Sequence, residues 1–309
     1  MEQKKKPRKL RRVVTIAAVA IITFIINLFV SATVAIGYSF IYIARGVDLS
    51  DPDNLTQLVA SNPSFLMLSS VYNLLAIAIV IVFWKYIDKQ NTDRLGFART
   101  NKTGIQVFWG IAAATAAIAA IIVFGLIFKV LRFQGMGFSV YSSTQMIMAM
   151  LTGIITFILV GFGEEAVYRS YIQNHLVDIT DTRYGITIAA LVFTGAHLFT
   201  YGKMLDLIDV FFGGLILGYA FILTKSIYLP AAYHFMWDFL QLNIFRLQDY
   251  EYYNGPVLFL FNNVGDLVIN NYNLGNKLEI GFIAIEIMIL SLMYIYREKI
   301  SRLAGKKNT

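Results

Sequence analysis

The chain of 309 residues has no cysteine, and only 15% of its residues are charged. The missing cysteine excludes disulfides, thiolate catalysis and cysteine-ligated zinc, and leaves the compartment open. The scarcity of charge excludes an ordinary soluble domain, in which about a quarter of the residues are charged. Basic residues are also missing from two long stretches, 46–63 and 247–276. No internal repeat, low-complexity segment or soluble domain interrupts the chain. The H-E-x-x-H signature of single-helix zinc peptidases does not occur.

Apolar residues fill most of what remains. They make up 57% of the chain, and the mean hydropathy is +0.62. Runs long enough to cross a bilayer recur at roughly 13–44, 64–84, 105–128, 145–176, 184–200, 205–224, 227–246 and 277–296, the fifth being short and the fourth over-long. The expected fold is therefore all-α: one polytopic membrane helix bundle of about eight transmembrane helices over 1–309. The apolar core of residues 1–35 is too long for a signal peptide and predicts a retained first helix.

The net charge of +7 sits at the ends and in one loop. "MEQKKKPRKLRR" holds seven basic residues, the loop after the second span carries Lys85, Lys89, Arg94, Arg99 and Lys102, and Arg297, Lys299, Arg302, Lys306 and Lys307 follow the last span. Loops rich in Lys and Arg stay on the cytoplasmic side. Both termini and the loop 85–104 are thus expected in the cytoplasm of a multi-pass cell-membrane protein, with 46–63 and 247–276 outside. The basic excess is a topology signal, and no nucleic-acid partner is expected. Residues 247–276, with "DYEYYNGP", are expected to form an aromatic, turn-rich cap.

Charge inside hydrocarbon costs several kcal/mol per group and normally marks function. The stretch "LVGFGEEAVYRS" at 159–170 places Glu164, Glu165 and Arg169 after an apolar run. The fifth span carries His197 in "FTGAHLF", and the seventh carries His234 and Asp238 in "AAYHFMWDF". The third histidine, His175, lies at the polar end of the fourth span and is expected at the surface. Spans four and five are joined by the turn "DITDTR". Thirteen residues of helix separate Glu164 from Val177 and His197 from Tyr184, so both lie roughly 20 Å from that turn at a rise of 1.5 Å per residue. The depth of His234 depends on where its helix begins, and Pro230 could mark that start.

Spacing within each helix separates the two glutamates. Glu165 and Arg169 are four apart and can pair, as can His234 and Asp238. Glu164 is turned about 100° from Glu165 and has no such cation. An unpaired carboxylate beside another one suits a general base. Gly161 and Gly163 allow close approach of a neighbouring helix, and Gly214 and Gly218 form a small-residue packing ridge. "MIMAM" at 146–150 is lipid-facing or core methionine.

An ion pair that only fixes packing accounts for Glu165 and Arg169 as well as a chemical role does. For the whole set, three chemistries stay open. His197, His234 and one glutamate (Glu164 or Glu165) could bind zinc with an open fourth position. Glu164 and His197 could instead activate water without metal, with His234 and Asp238 at the oxyanion. The same residue types also build proton relays in transporters.

These residues resemble the motifs of the type II CAAX prenyl proteases and their bacterial relatives, the CPBP or Abi proteins. E-E-x-x-x-R appears as Glu164 to Arg169, F-x-x-x-H as Phe193 to His197, and H-x-x-x-N as His234 to Asp238, all within a catalytic core at 145–245. The resemblance implies an eight-helix intramembrane endopeptidase whose site opens toward the cytoplasm. It implies water activation by Glu164 and His197, an oxyanion role for His234 and Asp238, support from Glu165 and Arg169, and no required cofactor. It further implies a membrane-associated peptide or protein substrate, prenylated in eukaryotic members. Bacterial relatives are linked to bacteriocin immunity and peptide maturation, and some members act as non-catalytic scaffolds. Asp238 departs from the family's Asn. An Asn side chain can donate to an oxyanion, whereas an ionised Asp cannot, so Asp238 either carries a proton or instead orients His234 through its ring N–H.

Overall fold

The computed structural model describes residues 6–49, 62–198, 200–247 and 255–305. Much of the N-terminal basic segment, the loop 46–63 and "DYEYYNGP", as well as Lys306 and Lys307, therefore lie outside the described residues. Besides short helical turns and a short helix at Arg297–Ser301, the described residues form eight longer helical segments in succession. They are α1 (Lys6–Ala44), α2 (Pro63–Ile87), α3 (Thr103–Ile127), α4 (Ser143–Ile179), α5 (Thr182–Ala196), α6 (Met204–Thr224), α7 (Tyr228–Phe239) and α8 (Leu278–Ile295). Each overlaps one expected span. Six of them, α1 to α4, α6 and α8, are long and apolar enough to cross a membrane. At 15 and 12 residues, α5 and α7 are too short to cross alone. The helix of α7 continues as a wider π-type turn through Phe245.

The chain is a polytopic helix bundle. Large side chains such as Ile21, Phe29, Phe40, Val123, Leu151 and Leu191 project outward, as a lipid-facing surface requires. Small residues let the helices close up. A Cβ on Gly161 would lie 2.8 Å from the Ala231 carbonyl of α7, and one on Gly214 would lie 3.1 Å from Cβ of Ala190 in α5. One buried cluster joins α1, α2, α4 and α5 through Val19, Ala76, Val80, Val167, Tyr171 and Ala189. Another joins α3, α7 and α8 through Ile118, Ile121, Leu240 and Phe282.

Local sequence explains the helix ends nearest the polar residues. Ser142 and Gln145 form a reciprocal capping box that starts α4. Asp181 caps α5 by accepting from the backbone N–H groups of Arg183 and Tyr184 at 2.8 and 3.0 Å. Two features go beyond the expected helices. Strand β1 (Leu131–Met136) pairs antiparallel with β2 (Phe259–Asn263), and β3 (Asp266–Ile269) forms a hairpin with β4 (Tyr272–Asn276). Helix α2 breaks at Ser70 and Val71 and resumes at Tyr72.

Candidate active site

The π-type stretch Ala166–Gln173 begins immediately after the glutamate pair of α4. Such insertions re-aim side chains and concentrate at functional sites. Here the two neighbouring glutamates end in different environments. Glu165 is fully buried; its Oε1 lies 3.2 Å from Nη1 of Arg169 and 3.1 Å from Nδ1 of His234. Arg169 is buried as well, lies over the ring of Phe193 at 4.4 Å, and donates through Nη2 to the Gly214 carbonyl at 3.4 Å. The pairing expected from the four-residue spacing is therefore present, and it ties α4 to α5, α6 and α7.

Glu164 points elsewhere. It lines a cavity of about 670 Å³ between α1, α2, α4 and α5, together with His197. Its Oε2 has no hydrogen-bond partner. His197 caps the C-terminal end of α5, and its Nδ1 lies 2.8 Å from the Phe193 carbonyl. A carbonyl can only accept, so Nδ1 carries a proton, and in the neutral ring Nε2 is the acceptor. The cavity thus holds a carboxylate and an imidazole nitrogen that both accept protons.

His234 lies behind this cavity instead of lining it. With Nδ1 donating to Glu165, its Nε2 faces Asp238 Oδ2 at 3.5 Å and Glu164 Oε2 at 3.9 Å. His234 and Asp238 share a helix face, as their spacing requires. Pro230 lies in the first turn of α7, which brings His234 to the depth of the glutamates. His197 and His234 are divided between the cavity and the packed layer behind it. Among the described residues, no group of three His, Asp or Glu side chains is arranged to hold a metal ion.

One expectation needs correction. His175 is not a surface residue. It is fully buried, packs tilted against Trp84 with ring centroids 4.8 Å apart and meets Asp88 Oδ2 at 3.1 Å, while Tyr171 donates to the same oxygen at 2.6 Å. The reason is that α4 runs past the expected end of its span to Ile179 and is clasped there by the chain after α2. Arg12 and Arg94 complete this clasp on Asp178 at 2.9 and 2.7 Å. Buried acidic residues also occur outside spans four, five and seven. Asp209 of α6 and Glu279 and Glu286 of α8 are also buried, with Glu286 against Gly213.

The sequence reading also passed over Tyr72 and Asn73. Both line the cavity beside Glu164. The signal was the polar run "SSVYN" at 69–73, inside an otherwise apolar span.

A membrane helix bundle with a carboxylate and an imidazole facing one cavity has the makings of a membrane-embedded hydrolase. Residues 146–240 match the family model described as Type II CAAX prenyl endopeptidase Rce1-like. That match agrees with the motif resemblance, spans the glutamate pair and both intramembrane histidines, and supports a CAAX-type membrane protease at the level of the family. No curated protein matches the sequence significantly.

Proposed function

We propose that this protein is an intramembrane endopeptidase of the cell membrane that hydrolyses peptide bonds in membrane-associated peptides or proteins. The observation that carries this reading is the shared cavity of Glu164 and His197. A water molecule between them gives up a proton to Glu164 while His197 Nε2 orients it, and its oxygen adds to the substrate carbonyl. The carbonyl π pair moves onto oxygen. When the tetrahedral intermediate collapses, the C–N bond breaks and the leaving amine takes the proton back. Glu165, Arg169, His234 and Asp238 form the supporting layer. They hold the α4 turn on which Glu164 rides, and Asp238 and Glu165 fix the ring of His234. Substrate and lipid are the partners, and residues 145–245 are the catalytic core of a single membrane domain.

The test is incubation of purified protein in lipid nanodiscs with lipophilic peptides, followed by mass spectrometry. Two fragments whose masses sum to that of the peptide plus one water support the reading. Intact peptide with proton-coupled uptake in vesicles would favour a transporter, and neither outcome would favour a scaffold. Activity that persists in a chelator supports metal-free chemistry. Loss on chelation with recovery on added zinc would favour a site built from His197, His234 and Glu164 or Glu165.

A further inference from the structure

We propose that a second cavity, between α3, α6, α7 and α8, binds one anionic phospholipid, with an acyl chain in the cavity and the headgroup phosphate on Lys299. This cavity shares no lining residue with the one that holds Glu164, and its ligand is independent of whether the protein cleaves peptides.

The cavity measures about 350 Å³, within the range of small-molecule sites. Apolar side chains make most of its wall: Trp109 of α3, Ile216 and Leu217 of α6, Leu229 and Tyr233 of α7, and Met293 of α8. Helix direction sets its depth. Trp109 and Leu229 lie in the first two turns of α3 and α7, while Ala220 and Met293 lie in the last two turns of α6 and α8. All four helix ends adjoin the basic segments that carry Arg99, Lys102, Lys225 and Arg297. Basic segments of this kind mark the cytoplasmic face, so the cavity opens at the level of the inner leaflet.

The remaining wall comes from the chain after α8, which contributes Lys299, Ile300 and Leu303. That chain is anchored. Gln106 of α3 is fully buried, donates to the Leu303 carbonyl and accepts from Ser226 Oγ at 2.7 Å. Gly305 seats beside Thr100, where a Cβ would lie 2.7 Å from Oγ1. Between α8 and Gly305 stand three bases, Arg297, Lys299 and Arg302, and a single acid, Glu298. Lys299 Nζ lies over the ring of Tyr296 at 5.2 Å, and the Arg297 guanidinium lies over Tyr294 at 4.7 Å. Among the described residues, no ion pair engages any of the three bases.

A cation set in the wall of an apolar cavity fits an anion that carries hydrocarbon. Basic pockets between membrane helices on the cytoplasmic side take anionic headgroups. A soluble phosphate would use Lys299 and leave the apolar wall unfilled. A zwitterionic lipid would fill the wall but bring an amine toward three bases.

The experiment titrates purified full-length protein in detergent with phosphatidylglycerol, with phosphatidylcholine of the same chains, and with glycerol phosphate. Native mass spectrometry counts the bound molecules, and thermal unfolding is recorded in parallel. Wild type should retain one phosphatidylglycerol per chain, with a raised unfolding midpoint, and retain neither of the other two. Lys299→Gln should weaken phosphatidylglycerol about fivefold, the usual contribution of one basic residue at an anionic lipid surface. Ala113→Phe fills the cavity from α3, and should lose the retained lipid while unfolding like wild type in lipid-free detergent. Lys85→Gln, outside the cavity, should bind like wild type. Equal retention of the two lipids, or a loss in Lys85→Gln matching that in Lys299→Gln, would mean surface attraction alone and overturn the site. Wild-type retention by Ala113→Phe would overturn it as well.

Discussion

Replacing Glu165 by Gln removes one charge from the layer behind the cavity without changing its shape. In the native protein, Glu165 is fully buried and Arg169 nearly so, and the carboxylate is shared between that guanidinium and the Nδ1–H of His234. The Gln side chain leaves the Arg169 cation with the Phe193 and Tyr168 rings and a backbone carbonyl. Breaking a buried pair from one side costs about 3–5 kcal/mol, because it strands the other charge. That corresponds to roughly a 10²–10³-fold or larger loss in the ratio of folded to unfolded protein, at 1.4 kcal/mol per tenfold. The double variant Glu165→Gln/Arg169→Met strands no charge, so it should recover most of the loss, short of the bond to His234. Thermal unfolding of the three proteins in one detergent measures this. Glu165→Gln unfolding at the wild-type midpoint would refute the argument, as would a double variant less stable than the single one.

Three further outcomes are expected. A Cβ on Gly163 would lie only 2.2 Å from Asn73 Oδ1, so Gly163→Leu should drive its side chain into Asn73. It should cost about 1–3 kcal/mol in thermal unfolding, with the cavity deformed and cleavage reduced; wild-type stability and rate would contradict the seating of Asn73 on Gly163. His175→Phe breaks a buried hydrogen bond to a carboxylate, worth about 1.5–3 kcal/mol, far from Glu164 in chemical role, so it should lower the unfolding midpoint while the kcat of the folded fraction stays near wild type. In this cysteine-free chain, Asn271→Cys should react with an impermeant thiol reagent in intact cells, and Lys102→Cys only after permeabilisation; the reverse pattern would invert the topology.

The fold was largely legible because spanning a bilayer demands long apolar runs, and each of the eight runs became a helix. Helix-face arithmetic sufficed for Glu165 with Arg169 and for His234 with Asp238, since both pairs are local. What escaped depended on contacts between helices. His175 was misjudged because nothing near it in sequence announces that Asp88 and Trp84 close over it. Asp209 and Glu286 were passed over as isolated carboxylates in apolar helices, and only the packing of α6 on α8 buries them. The break in α2 was written as "SSVYN", yet its meaning appears only when Gly163 offers Asn73 a seat. The division of the two histidines between cavity and supporting layer likewise follows from where α5 and α7 end and begin, which periodicity does not fix.

The central claim is that Glu164 is the base that activates water. Glu164→Gln keeps the size and hydrogen-bonding capacity of the side chain and removes its basicity. The decisive measurement is the cleavage rate of a membrane-associated peptide by this variant, with its unfolding midpoint recorded in parallel. The account predicts a protein as stable as wild type whose rate falls by about 10²–10⁴-fold, the usual contribution of a general base. A stable Glu164→Gln protein that cleaves at the wild-type rate would contradict it.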